Sequence, residues 1–365
     1  MAHTADISIL GTGIVGMSLA LSLARARLRV NLVGSIAAPH HPDVRAYAIN
    51  HAGRATLQAV DAWPDDDLVA TPVRQMRVFG DAQGCVQFDA PVADSLTWIV
   101  DVPALIDRLQ TAVKAHALIT VTEAATAAPL RVICEGRDTA SRAAAGLTAR
   151  SMAYPHHAVA TRVRADQGHA GTAWQWFDGE RILGLLPLGG PGGQELAVVW
   201  SQAGAQARAW PHQTPEALGE ALSQASHHVL GHLHVNAPVA TWPLVLSRAT
   251  RWVAPGVALA GDAAHSVHPL AGQGLNLGLA DVAELTRVIA GRERWRGVGD
   301  YALLRRYERA RALPTRLMQA GTDGLYLSFA SDWPAAAALR NVGMQWFDRW
   351  SWLKNAAMAH ARHAR

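Results

Sequence analysis

At 365 residues, half of them hydrophobic and 17% charged, the chain is long and apolar enough for one large core or two smaller ones, which excludes a disordered polymer. A net charge of +4 with no Lys/Arg block interleaved with aromatics excludes nucleic-acid binding driven by charge. The only cysteines, Cys85 and Cys134, leave no disulfide framework and no Cys-rich metal site, and fit a reducing compartment.

In chain order, Ile7 to Ala24 is uncharged and long enough to raise the question of a membrane span or signal peptide. Asp6 precedes it instead of a basic region, and no small-residue cleavage signature follows, so the expectation is a cytoplasmic chain without a spanning segment. Asp6–Leu10 reads as a strand, Gly11-Thr12-Gly13-Ile14-Val15-Gly16 as G-x-G-x-x-G, Met17–Arg27 as a helix and Leu28–Val33 as a second strand. In such a unit Gly11 permits the tight turn, Gly13 lets a pyrophosphate approach the backbone, and Gly16 lets helix pack on strand. The second strand is expected to end in Asp or Glu to bind ribose hydroxyls; here the slot holds Gly34, followed by Ser35.

After a Pro/His-rich loop at 37–42, Asp43–Asn50 carries Arg45, by itself an ordinary solvated charge. Ala52–Ala62 reads as a helix, Pro72–Phe88 as strands and Pro103–Ala115 as an amphipathic helix. Leu130–Arg142 is a strand running into a turn, and the alternations between Ala153 and Trp200 predict a second, mostly antiparallel sheet. Thr214–Leu230 follows as a helix. His227, His228, His232 and His234 have no Cys or carboxylate set at ligand spacing, so no metal site is expected.

The stretch 261–278 has the densest pattern. Gly256–Ala260 predicts a buried strand, Gly261-Asp262 a turn, and Pro269 a bend. Gly272 and Gly274 flank a loop opening a helix with Leu275, Leu277, Leu279, Val282 and Leu285 on one buried face. A fresh helix N-terminus suits an anionic or electron-rich ligand, and Asp262 can accept hydroxyl hydrogens from a polyol. At 339–365, Trp346, Trp350 and Trp352 with Arg340, Arg349 and Lys354 suit contact with a membrane interface, and equally docking onto the protein's own body.

Together, the G-x-G-x-x-G opening, Asp43-Val44-Arg45-Ala46, Ala173–Phe177 with Leu185–Leu188, Tyr307–Arg311 with Thr322–Leu325, and above all GDAAHSVHPLAGQGLNLGLAD at 261–281 resemble the flavoprotein aromatic hydroxylases of the para-hydroxybenzoate hydroxylase fold, most nearly their ubiquinone-biosynthesis branch. The resemblance covers most of the chain. It implies an α/β protein: a discontinuous Rossmann-like FAD-binding domain (1–70, 100–152 and 253–325), a mostly antiparallel substrate domain (71–99 and 153–252) and a C-terminal helical segment (326–365). By the same resemblance, Gly11, Gly13 and Gly16 hold the FAD pyrophosphate, Arg45 lies along the cofactor and Asp262 binds the ribityl chain. Pro269, Gly272, Gln273, Gly274, Leu275 and Asn276 present backbone N–H groups to the flavin's pyrimidine edge, where a helix N-terminus stabilises the charge of reduced flavin.

The activity implied is hydroxylation of an aromatic ring, in which NAD(P)H reduces FAD and a C4a-hydroperoxide formed with O₂ transfers oxygen. The implied substrate is a polyprenyl phenol or related quinone precursor. Two alternatives stand beside it: a soluble phenolic substrate, and a non-catalytic paralogue serving as a binding or assembly subunit of a quinone-making complex. No catalytic side chain is named, since the cofactor carries the chemistry. Trp174, Trp176 and Leu185–Leu188 are expected to wall the substrate pocket or to be plain core. His265 and His268 are expected either to play a polar part near the flavin or to hold a turn. Three departures stand out: Gly34, Glu135-Gly136 in place of Asp-Gly, and Pro103 in a slot usually held by Arg; the first and third bear on FAD affinity and motivate the third reading.

Overall fold

The computed structural model describes residues 5–36, 43–80, 84–92, 94–137, 139–266 and 274–329. His268, Pro269, Gly272, Gln273 and the 339–365 segment lie outside the described residues.

The first sheet has six strands in the order Val253–Ala254, Val257–Leu259, Leu130–Ile133, Ile7–Leu10, Val30–Val33, Ile119–Thr122. Every neighbouring pair is parallel except the first. Parallel strands are covered on both faces, so they are mostly apolar. Ile7, Ile9, Leu32, Leu130, Val132 and Leu259 accordingly have no exposed surface. Helices Ile14–Arg25, Val102–Ala115 and Gly274–Ala290 contribute Met17, Leu21, Leu105, Leu109, Leu279 and Leu285 to the same core. The start of Val102–Ala115 explains Pro103. Asp101 caps the helix by accepting from the Ala104 N–H at 3.1 Å, and a proline in the first turn lacks only an N–H that would have no helical partner.

The second sheet has nine strands, ordered His265–Ser266, Ala240–Ala249, Ala149–Ala165, Glu195–Ala203, Arg181–Pro187, Thr172–Asp178, Gln75–Phe79 and Cys85–Asp89, with Leu233–Val235 also on Ala149–Ala165. It is antiparallel except where Thr172–Asp178 meets Gln75–Phe79. A third sheet of Ala46–Ile49, Thr97–Asp101 and Ala70–Val73 lies between the other two. Strand alternation makes it the hinge of the packing. Ile49 and Val100 join the first core, while Ala46 and Ile99 pack against Ala173, Leu188 and Ala197 of the nine-stranded sheet.

Two expectations are corrected here. Of the two expectations for Trp174, Trp176 and Leu185, plain core holds and pocket wall does not. With Leu183, Val198 and Trp200 they pack under Ala207, Leu218 and Leu222 of helices Gly204–Ala209 and Pro215–Ala225. The period of two puts Ala173 and Phe177, and on the next strand Ile182 and Leu186, on the opposite face. Of the expected wall, Leu186 and Leu188 alone pack toward the third sheet. Second, helix Gly274–Ala290 has no single buried face at its start: every residue from Leu275 to Val282 is buried. It runs between helices Ile14–Arg25, His51–Gln58 and Tyr301–Phe329, so Leu275–Val282 is covered on every side. No described helix is long and apolar enough to cross a membrane.

Candidate functional site

At the tip of the first strand the chain turns through Gly11, whose φ of 111° is open to glycine and strained for other residues. A Cβ on Gly16 would lie 2.0 Å from the Gly11 carbonyl oxygen, so helix and turn are in direct backbone contact. Gly13 differs: its backbone is extended, and a Cβ there would meet nothing within 4 Å among the described residues. The first helical bond runs from the Met17 N–H to the Gly13 carbonyl at 2.9 Å. The N–H groups of Ile14, Val15 and Gly16 therefore precede the ladder, and Gly13 supplies no side-chain cap. This is an open cradle at a positive helix end, as a pyrophosphate requires.

Gly34 is explained by shape. Its φ is 134°, and a Cβ would come within 3.0 Å of the Thr12 methyl. Thr12 donates its hydroxyl to the Ser35 carbonyl at 2.7 Å, closing the rim where an acidic side chain was expected. The ribose end of the cradle is thus uncharged at this position. Glu135 is occupied locally, accepting a hydrogen bond from the Thr139 hydroxyl. Arg142 donates to the Ala263 carbonyl at 3.0 Å, joining the Glu135–Arg142 segment to the turn that bears Asp262.

Asp262 is exposed in the short 3₁₀ turn Gly261–Ala263. Its side chain keeps contact with water, but the protein around it withdraws enough solvent to raise its pKa, against the pull of His265, Arg137 and Arg45. Arg45 forms a two-pronged pair with Asp43, Nε–Oδ1 at 2.9 Å and Nη2–Oδ2 at 2.6 Å, and its Nη1 lies 3.4 Å from the Tyr47 hydroxyl. Burial pushes the Tyr47 phenol up, so it stays a neutral donor at physiological pH. The structure thus brings Arg45 and Asp262 into one cluster and adds two residues that sequence reasoning missed, Tyr47 and Arg137. Asn276, in the first turn of its helix, uses its side chain to hold that turn. Its Oδ1 accepts from the Asn50 N–H at 2.9 Å and its Nδ2 donates to the Ala48 carbonyl at 2.8 Å.

Behind the Asp262 turn lies a buried charge network. Asp281 has no exposed side-chain surface, His265 1% and Arg311 2%. Asp281 Oδ2 is 2.6 Å from His265 Nε2 and accepts from the Gly261 N–H at 3.0 Å; its Oδ1 accepts from Arg311 Nε at 2.8 Å. Burial alone would raise the Asp281 pKa, but His265 and Arg311 outweigh it and hold the carboxyl below its usual range. Gln319 adds Nε2 contacts to the Ser266 and Ser247 carbonyls at 3.0 and 3.2 Å. His265 therefore takes the turn-holding role. Helix Tyr301–Phe329 reaches the site through Arg311 and Gln319. Asp281 and Arg311 were also missed as site residues. Asp281 had a sequence signal, a charge inside the otherwise apolar pattern of Gly274–Ala290, which demands a buried partner; Arg311, among the many charges of its helix, had none.

These residues fit FAD: an open glycine at a free helix end, a carboxylate for a polyol, and a second helix beginning at Gly274. Among the described residues no group of three His, Cys, Asp or Glu is arranged to hold a metal. Because the raised pKa of Asp262 precedes its use as a hydroxyl acceptor, FAD affinity is expected to weaken as pH falls from neutral, starting above the ordinary carboxylate value of 3.8. Asp262→Asn should weaken binding about tenfold at neutral pH, as loss of one charge-assisted hydrogen bond would, and should flatten that acid limb. Fluorescence titration of the apoprotein with FAD across pH checks both; an Asn variant with an unaltered acid limb removes Asp262 from the linkage.

The FAD binding domain family matches residues 106–320. Over 98% of this chain and 98% of the relative, the sequence is 27% identical to 3-demethoxyubiquinol 3-hydroxylase of Escherichia coli. It is 30% identical to ubiquinone hydroxylase UbiL of Rhodospirillum rubrum over 98% of this chain and 89% of the relative. Its fold superposes on p-nitrophenol 4-monooxygenase PnpA from Pseudomonas putida with a TM-score of 0.78, covering 99% of both chains at 17% identity. With the family match spanning more than half of the chain, and the glycine cradle and Asp262 turn both in place, this chain belongs to the FAD binding domain family and is an FAD-dependent monooxygenase.

Proposed function

We propose that this protein hydroxylates the ring of a polyprenyl phenol or related quinone precursor in ubiquinone biosynthesis, using O₂ and NAD(P)H. The supporting observation is the character of the nine-stranded sheet on the face shared with Ala46 and Ile99. Tyr154, Ala158, Phe177, Ile182 and Leu244 are buried there, with Val78, Trp242 and Leu246 packed beside them. Arg162, which rises toward the same side, is tied to Asp101 at 2.7 Å and so is not offered to a carboxylate substrate. Such a lining suits a neutral, apolar ring better than a charged one. The names of the full-length relatives point the same way.

When bound, FAD supplies the redox chemistry, accepting a hydride and activating O₂ for transfer to the ring. The chain's own residues bind, orient and exclude water. Gly11, Gly13 and Gly16 shape the pyrophosphate cradle, and Asp262 accepts from the ribityl hydroxyls. The N-terminus of the Gly274 helix, with Leu275 and Asn276, would offer its positive end to the flavin's pyrimidine edge. The apolar sheet face keeps water from the oxidising oxygen. In this reading, 1–70, 100–152 and 253–325 hold the cofactor, and 71–99 with 153–252 hold the ring. Peripheral contact with the membrane that dissolves such a substrate, and a place in a quinone-making assembly, belong to the same proposal.

The test is purification followed by assay with 2-geranylphenol. A yellow protein bleached by NAD(P)H, yielding a product heavier by one oxygen atom, is the expected result. A colourless protein that takes up no FAD, or one that oxidises only unprenylated phenol, would sink the reading.

A further inference from the structure

Strand Arg181–Pro187 contains a glycine at its centre. Gly184 pairs with Gln175 on one side and Val199 on the other, in a register unbroken along both neighbours, so it marks neither a bulge nor a bend. Its φ is not among the positive ones, so its backbone is open to any residue. A Cβ built on it would meet a single atom within 4 Å among the described residues, the Val199 carbonyl oxygen at an ordinary 3.6 Å. Nothing described in the folded chain requires glycine here, and a glycine in mid-strand costs stability relative to alanine. Contrast Gly16, Gly219 and Gly189, whose Cβ atoms would lie 2.0, 2.4 and 2.2 Å from backbone.

Where Gly184 points decides what the space is for. Leu183 and Leu185 face the covering helices, so Gly184 shares the opposite face with Ile182 and Leu186. Ile182 belongs to one apolar cluster, with Tyr154, Phe177 and Leu244. Leu186 packs on a separate one, with Ala46, Ile99 and Ala173. The two clusters lie on one sheet face without merging, and Gly184 occupies the gap between them. Half-buried Val199 and buried Gln175 flank it. A missing side chain between two apolar clusters, on the face that looks to the cofactor side, is the shape left for a ligand.

We propose that the opening over Gly184 receives the prenyl-bearing side of the substrate ring, so that the residue at 184 sets the size of phenol the enzyme accepts. This rests on the functional reading above. The polar edge of the opening is the Gln175 side chain, and the clusters on either side are apolar, so the ligand portion it takes is uncharged.

The experiment is the KM for 2-geranylphenol in the FAD-loaded wild type, Gly184→Ala and Gly184→Leu. FAD affinity is measured in each as the check on folding. Filling an apolar pocket by one to a few methylenes should raise KM about twofold for alanine and about tenfold or more for leucine, with FAD affinity kept. Thermal stability of Gly184→Ala should equal or exceed that of wild type, which a glycine needed by the fold would not permit. A Gly184→Leu enzyme with wild-type KM overturns the inference. Should leucine prevent FAD loading, the alanine variant decides: an unchanged KM or a lowered stability overturns it. A wild type inert toward 2-geranylphenol removes the functional reading, and this inference with it; an active wild type matched by the leucine variant removes the inference alone.

Discussion

Replacing Arg311 by methionine should destabilise the protein by about 3 kcal/mol, because it leaves a buried carboxylate without its guanidinium partner. The estimate sits at the low end of the range for broken buried pairs because His265 and the Gly261 N–H still hold Asp281. Urea denaturation of the apoprotein gives the figure. The surface pair Arg287–Glu284 is the control: with Arg287 largely in solvent, its removal should shift stability by about 0.5 kcal/mol or less. The same variant should lose FAD affinity, since Arg311 anchors the helix whose Asp281 holds the Asp262 turn. An Arg311→Met protein as stable and as yellow as wild type would show that the network is incidental. The pH dependence has a definite sign. The Asp281 carboxyl is held below 3.8 in the folded state, so its contribution is present above that value and lost as pH falls through the lowered one. Arg311→Met should make the acid limb of the stability profile shallower.

Gly13→Val should do the reverse, sparing the fold and abolishing the cofactor. The backbone at Gly13 is extended and its Cβ direction is open among the described residues, so the side chain enters the space where a pyrophosphate would lie. Apoprotein stability should change by under about 1 kcal/mol, as for an ordinary change at a helix N-cap. FAD affinity should fall roughly 100-fold or more, equivalent to one or two charge-assisted hydrogen bonds to phosphate. Denaturation together with flavin titration separates the two effects. Tight FAD binding by this variant would remove the cradle at the first helix from the site.

Both variants test residues with different histories. Gly13 was legible because its role is local: a strand, a turn and a helix in one short segment carry their own spacing, and the structure keeps that spacing. The same holds for Arg45 and Asp262, whose motifs name them before any fold is known. Arg311 was visible only as part of Tyr307–Arg311, with no sign that it reaches 30 residues back to Asp281. The tryptophans of Thr172–Asp178 show the complementary failure. Alternation established that Trp174 and Trp176 share a face, and it is silent on which face looks to the cofactor. That was decided by helices 204–209 and 215–225, which cover one side of the sheet.

The departures divide in the same way. In sequence, Pro103 and Gly34 read as losses. In the structure Pro103 opens a capped helix, and Gly34 turns the chain beside Thr12, where a side chain would collide. Neither carries the weight that the third reading, a non-catalytic paralogue, placed on it.

By itself the sequence determined the fold class and the two cradle motifs, because these depend on period and on residues near one another in the chain; the cofactor followed from the family resemblance those motifs carry. Tertiary structure decided which sheet face the tryptophans occupy, what holds the Asp262 turn, and which face of the nine-stranded sheet meets the third sheet. Those depend on contacts between distant segments, such as Arg311 with Asp281 and Ala46 with Ala173, which burial selects and no local pattern encodes.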